Sequence, residues 1–220
     1  SWRKQYCGIF MAVRDGITYY FIDNEYYFAR DGLYGFYDDC ERFVFFDRAV
    51  LEMLRYIKFT PDIINCNDWQ TALIPVYYNV YYKYQQGYDG IKTVYTIHNI
   101  EYQGKYGKEV LSELMGIPMY NAGLLDYDGY VNMMKGAIET CDMITTVSPS
   151  YADEIRTSAF GEGLDGVLRA KTEIFDFLPE DGCIILNGDD AKTAGRGTNH
   201  GCNAYGRRPW RCRCSICRSL

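Results

Sequence analysis

Lys92-Thr93-Val94-Tyr95-Thr96-Ile97-His98-Asn99-Ile100-Glu101-Tyr102-Gln103-Gly104 is the stretch on which the fold turns. After Lys92, its next five residues are all β-branched or aromatic, the composition of a strand, and the run stops at a histidine. His98 is one of only two histidines in 220 residues. A parallel strand that ends in His-Asn and then turns on Gln-Gly carries polar side chains at its carboxyl end. In open α/β sheets that edge is where ligands bind. His98 has two readings at this point: a strand cap bonded to backbone, or a side chain facing a ligand.

A second polar strand end lies upstream. Asp62-Ile63-Ile64-Asn65-Cys66 has the pattern of a short buried strand and runs into Asn67-Asp68-Trp69-Gln70. A long helix is expected over 71–85, closed at Gly87, and the next strand over 91–97. Strand, helix, strand in this length is a βαβ unit, which demands a parallel pair and a right-handed crossover. Both polar loops then emerge on one sheet edge. Asp68 alone fits a helix N-cap, whereas two polar ends from one βαβ unit favour a ligand crevice.

Outward from this unit, 6–12 and 17–22 are strand-like and joined by the hairpin-type turn Arg14-Asp15-Gly16. Residues 24–38 form an aromatic, glycine-punctuated loop, either covering a site or pinned to the surface by its rings. A helix is expected over 39–57, with Phe43, Phe46, Ala49, Val50, Met53 and Leu54 on its apolar face. Helical patterns recur at 110–115 and 130–140, and 143–147 is a strand. It leads into Ser148-Pro149, an N-cap followed by proline at the first helical position, with the helix over 152–156. The glycine-rich 161–166 lacks the dinucleotide fingerprint and is a weak phosphate-loop signal. A last strand is expected over 182–186, ending at Asn187-Gly188.

Composition divides the chain. Net charge is −6, yet the segment from Ala191 holds seven basic residues and no acidic one, leaving 16 basic and 29 acidic residues before it. Cys7, Cys40, Cys66, Cys141 and Cys183 are isolated in or beside apolar segments and read as reduced core residues. Cys202, Cys212, Cys214 and Cys217 crowd the tail with His200, where three outcomes stay open: disordered or frameshifted sequence, a zinc site of unusual spacing, or a basic interaction segment. Tyrosine is abundant at 22; Tyr77, Tyr78, Tyr81 and Tyr82 lie on apolar stripes and are expected to bury the ring while the hydroxyl stays wet. No apolar run reaches the length of a membrane span and no segment resembles a signal peptide, so an intracellular protein without a membrane partner is expected; no nucleic-acid partner is expected either.

Five stretches carry a resemblance. They are Ile17-Thr-Tyr-Tyr-Phe-Ile-Asp-Asn24, Asp62-Ile-Ile-Asn-Cys-Asn-Asp-Trp-Gln-Thr-Ala-Leu73, Thr96-Ile-His-Asn-Ile-Glu-Tyr-Gln-Gly104, Thr146-Val-Ser-Pro-Ser-Tyr-Ala-Asp-Glu-Ile155 and Ile184-Ile-Leu-Asn-Gly188. In these the chain resembles the bacterial glycogen synthase and plant starch synthase family. The resemblance implies an α/β fold, a Rossmann-like parallel sheet flanked by helices, forming the N-terminal half of a two-domain GT-B glycosyltransferase. Residues 1–188 would be a partial N-terminal catalytic domain, and 189–220 a basic, cysteine-rich tail.

The implied reaction transfers glucose from ADP-glucose to the non-reducing end of an α-1,4-glucan with retention, with no cofactor beyond the sugar-nucleotide donor. The implied location is a bacterial cytoplasm or the plastid stroma. His98 would lie beside the transferred glucosyl unit, orient it, and help stabilise developing positive charge through its backbone carbonyl. Asp68, Trp69, Asn99, Tyr102 and Gln103 would line the sugar and acceptor side, and Asn187 would sit near the interdomain crossing. Asn65 stands where the family often has histidine. The family's lysine-containing glycine-rich loop and its second domain, which supplies the phosphate-binding Arg and Lys, have no counterpart here, so the chain alone is expected to be nearly inactive. The alternative is a non-catalytic α/β module that binds glucan through the aromatic loop and the turn from Asp68 to Gln70.

Overall fold

A computed structural model of the chain describes residues 4–173. At its centre is a three-stranded parallel sheet in the order β3-β4-β8. These strands are β3 (Ile63–Asn67), β4 (Lys92–Ile97) and β8 (Met143–Thr146). Asn67 pairs with Thr96 and Thr96 with Thr145, so the ends of all three strands share one edge. The expected βαβ unit is present.

The sheet's inner face carries Cys66, Tyr95 and Ile97, each at most 1% exposed. Against it pack α2 (Asp39–Met53), α3 (Leu73–Tyr77) and α4 (Met133–Thr140). Leu51, Leu73, Val76, Tyr77, Met133, Met134 and Ile138 are fully buried there. The hairpin of β1 (Gly8–Arg14) and β2 (Ile17–Asp23) matches its expectation. Asp15 at φ 52° and Gly16 at φ 79° make the two-residue turn whose twist suits antiparallel strands.

The structure departs from the sequence reading in several places. Instead of one helix over 71–85, a 3₁₀ turn (Trp69–Thr71) leads through α3 into a π turn (Tyr78–Tyr82). Pro75, lacking an N–H, is tolerated because it falls in the first turn of α3. The expected helix over 130–140 splits at Asn132: β7 (Tyr130–Asn132) joins β5 (Lys105–Tyr106) and β6 (Asp126–Tyr127) in a small antiparallel sheet. The Asn132 side chain then accepts from Lys135 N–H at 3.0 Å to cap α4.

On α2 Ala49 and Met53 are buried as expected, but the buried stripe also takes Cys40, Val44, Asp47 and Leu51, while Phe43, Phe46 and Val50 are half-buried. Apolar counting cannot place a buried Asp47. An unexpected helix, α6 (Asp165–Glu173), starts inside the glycine-rich run. Lys171 Nζ reaches back from it to the carbonyls of Glu139 (3.2 Å) and Cys141 (2.7 Å) at the end of α4. By contrast, α5 (Pro149–Ile155) starts as expected, its Ser148 side chain accepting from Tyr151 N–H at 3.1 Å.

The hydroxyls of Tyr77 and Tyr78 are buried and bonded rather than wet, while those of Tyr81 and Tyr82 bond nearer the surface. Tyr77 donates to Met115 O at 2.9 Å, Tyr78 lies within 3.0 Å of the carbonyls of Tyr88 and Ile91, Tyr81 donates to Gly116 O, and Tyr82 to Glu52 Oε1 at 2.5 Å. The Tyr77 and Tyr78 bonds satisfy buried backbone carbonyls that would otherwise be stranded in the core. Cys40, Cys66 and Cys141 are buried free thiols, but Cys7 is exposed. Burial pushes Cys40 and Cys141 up to about 12, so both stay protonated and unreactive. Cys183, the expected strand over 182–186 and the tail lie outside the described residues.

The aromatic loop begins with a short helix, α1 (Glu25–Phe28), and is pinned as much by charge as by rings. Arg30 and Asp38 form two bonds of 2.6 Å each, which hold the Asp38 carboxyl below its ordinary range. Buried Arg42 pairs with Asp39 and donates to the carbonyls of Tyr27 (2.8 Å) and Leu33 (3.2 Å). Both guanidiniums lie 5.1 Å from the Phe36 ring.

Candidate functional site

The chain passes from β3 into Asp68 through an unusual backbone, φ 55° and ψ −176°. Such a conformation suits glycine and costs another residue about 1–3 kcal/mol, and such outliers gather at functional sites. Asp68 forms no N-cap bond. Its Oδ1 instead accepts from the backbone N–H groups of His98 (2.8 Å) and Asn99 (3.3 Å). Asp68 N–H donates to Thr96 O at 3.0 Å, extending the ladder by one bond. The carboxylate is therefore a clasp that joins the two polar strand ends.

This leaves His98 and Asn99 exposed at the edge. His98 Nε2 lies 2.9 Å from Asn67 Oδ1, and Asn99 Oδ1 accepts from Glu101 N–H at 3.0 Å to tighten the turn. Tyr102 projects with 59% of its surface exposed. Alongside, Thr96 Oγ1 lies 2.9 Å from Asn65 Oδ1 and 2.7 Å from Thr145 Oγ1, forming a polar rung across the same face of the sheet.

Trp69 and Gln103 are buried beside the turn. Trp69 is 9% exposed and packs edge-on against Phe43 at 5.0 Å. Gln103 is 3% exposed, and both its amide hydrogens are committed, to Ile100 O and Glu162 O at 3.0 Å each. Its Oε1 accepts from Asn132 at 2.7 Å. These two hold the turn from behind, because a large ring and an amide with partners on both sides gain more from burial than from solvent. Asn187 lies outside the described residues.

The structure adds residues that the sequence reading missed. Asn67 meets the His98 ring, Thr71 bonds the Asn67 backbone, and Tyr151 Oη accepts from Ile100 N–H at 3.0 Å. Each sits within a motif already quoted, but nothing in the spacing tells which atom it meets. Next to Gln70, a groove of about 510 Å³ opens between the aromatic loop and α2, lined by Phe28, Leu33, Tyr34, Phe43 and Phe46 among others. Among the described residues no cluster of His, Cys, Asp or Glu could hold a metal, and no helix is long and apolar enough to cross a membrane.

The clasp gives a direct prediction. Asp68→Ala removes the shared acceptor and frees two N–H groups, so amide exchange at His98 and Asn99 should accelerate. Asp68→Asn keeps an acceptor oxygen and should remain close to wild type in the same exchange measurement. Equal exchange in the alanine variant and the wild type would refute the clasp.

Residues 1–170 match the family model of the starch synthase catalytic domain. The glycogen synthase of Clostridium kluyveri is 52% identical over 174 residues, 78% of this chain and 37% of that protein. The glycogen synthase of Geobacillus stearothermophilus is 47% identical over 192 residues, 86% of this chain and 38% of that one. Among solved structures, the catalytic domain of starch synthase IV from Arabidopsis thaliana, bound to ADP and acarbose, superposes with a TM-score of 0.68 at 35% identity. That match covers 76% of this chain and 35% of the plant chain. The chain thus spans a little over a third of the length of the curated relatives it matches. Its parallel α/β sheet flanked by helices is of the GT-B class the motifs implied. From matched residues, identity and fold together, the chain belongs to the starch synthase catalytic-domain family.

Proposed function

We propose that this chain supplies the sugar-facing side of a retaining glucosyltransferase site, which moves glucose from ADP-glucose to the non-reducing end of an α-1,4-glucan. The observation that carries the reading is the exposed His98-Asn99 turn, fixed at the carboxyl edge of a parallel sheet by the carboxylate of Asp68, whose backbone is strained. Preorganised groups at such an edge orient a sugar without reorganising during reaction. His98 orients the glucosyl unit, and its carbonyl faces developing positive charge. ADP and acarbose in the Arabidopsis relative support an adenine nucleotide donor and a glucan-like acceptor. The donor is a substrate, and the reading calls for no further cofactor. It puts the protein in a bacterial cytoplasm or a plastid stroma.

Asn67, Asp68, His98, Asn99 and Tyr102 include no permanent cation, which the departing diphosphate requires. The 220-residue chain alone is therefore expected to bind glucan while incorporating labelled glucose from ADP-glucose into glycogen at background. Incorporation clearly above background would overturn that division of labour. The aromatic groove supports a second reading, glucan binding without catalysis. Tyr34, 62% exposed at its rim, separates the two. Tyr34→Ala abolishes maltoheptaose binding if the groove is the only sugar site and leaves the response at His98 intact if the strand edge is one.

A further inference from the structure

His98 is held from two directions by consecutive residues. Asp68 fixes its main chain, as described, and Asn67 meets its ring. Asn67 is the last residue of β3 and pairs with Thr96, two residues before His98, so the two side chains rise on the same face of the sheet. The Asn67 backbone is itself clamped. Its N–H donates to Thr71 Oγ1 at 2.6 Å, and that hydroxyl lies 2.8 Å from Asn67 O. The amide oxygen of Asn67 then faces His98 Nε2 at 2.9 Å. An amide oxygen can only accept, so in this orientation of the amide the contact is a hydrogen bond only when Nε2 carries the proton.

We propose that Asn67 is a positioning residue for His98, holding the imidazole as its Nε2–H form and leaving Nδ1 as the ring's free acceptor. A ligand group that meets the ring at Nδ1 must then donate, as a sugar hydroxyl does and an ionised phosphate oxygen does not. The inference rests on the reading of His98 as the sugar-facing residue. Asn67 acts through the ring and not on the ligand.

The test uses the full chain with ¹⁵N-labelled histidine and His200→Gln, so that one imidazole remains. Long-range ¹H–¹⁵N spectra of the neutral ring report which nitrogen is protonated. The expected result is a wide separation of the two nitrogen shifts, with Nε2 protonated. Asn67→Ala should draw the shifts together as tautomers mix, and Asn67→Asp, which also accepts, should restore the separation. A proton on Nδ1 in the unsubstituted chain, or an alanine variant with unchanged shifts, overturns the proposal. The first of these outcomes needs no variant to fold. Adding maltoheptaose separates the two readings. A locked tautomer with no response to the sugar supports Asn67's role and removes the glucosyl reading. A response to sugar with a tautomer indifferent to Asn67→Ala does the reverse.

Discussion

Asp47→Asn is expected to raise the stability of the chain at neutral pH and to flatten its pH dependence. Asp47 lies in α2 with no exposed surface. Its Oδ2 accepts from Leu73 N–H at 2.8 Å, where α3 begins, and its Oδ1 has no partner among the described residues. Burial pushes this carboxyl well above its ordinary range, and the single N–H bond pulls the other way without prevailing. The sign follows from linkage. A carboxyl raised in the folded state contributes its full stability below the ordinary carboxylate range. From there that stability falls by about 1.4 kcal/mol per pH unit until the raised value is passed.

Asparagine keeps an acceptor for Leu73 and has no proton to lose. Urea titrations between about pH 4 and pH 8 should show wild-type stability falling more steeply than that of the variant. Parallel profiles would contradict the account. Asp47→Ala should lie below Asp47→Asn by about 1–3 kcal/mol, because it strands the Leu73 N–H in the core.

Gly104→Ala should be the most damaging small substitution near the site. Gly104 sits at φ 66°, and a Cβ there would stand 2.9 Å from Trp69 Cε3 and 3.0 Å from Met133 Sδ. The left-handed conformation costs an L-residue roughly 1–2 kcal/mol, and the overlap adds about 1–3 kcal/mol. The methionine can bend away, but the indole is backed by Phe43. The carbonyls of Gln103 and Gly104 also accept from Met134 N–H (3.0 Å) and Met133 N–H (3.1 Å), so the shift propagates to the start of α4. A loss of about 2–5 kcal/mol in urea unfolding is expected, together with faster amide exchange at Met133 and Met134. A change below about 0.5 kcal/mol would show that the turn repacks freely.

Much of this architecture was legible in the sequence because it is written in local chemistry. The run from Thr93 to Ile97 has strand composition whatever surrounds it, Asp15-Gly16 dictates a hairpin, and Ser148-Pro149 starts a helix in isolation. From these came the parallel pair and the shared edge of His98 and Asp68. What stayed hidden depends on partners distant in the chain. Asp68 looks like an N-cap until the His98 and Asn99 amides are seen to meet it across 30 residues. Trp69 and Gln103 are amphipathic enough for surface or core, and only their contacts with Phe43 and Asn132 show that they are buried. Asn132 ends the pattern over 130–140 as a helix because a three-residue strand finds its partners in residues 105–106 and 126–127. The glycines at 161–166 masked α6, whose start follows from Leu164 sinking into the core.

The measurement that tests the central claim most directly is a titration of the ¹⁵N-labelled chain with maltoheptaose, following the backbone amides of Asn67 to Gln70 and His98 to Gln103. The account predicts saturable shifts at His98, Asn99 and Tyr102, weakened by Asp68→Ala and retained in Asp68→Asn. Shifts confined to the groove around Phe28, Leu33 and Tyr34, or none at either strand end, would contradict it.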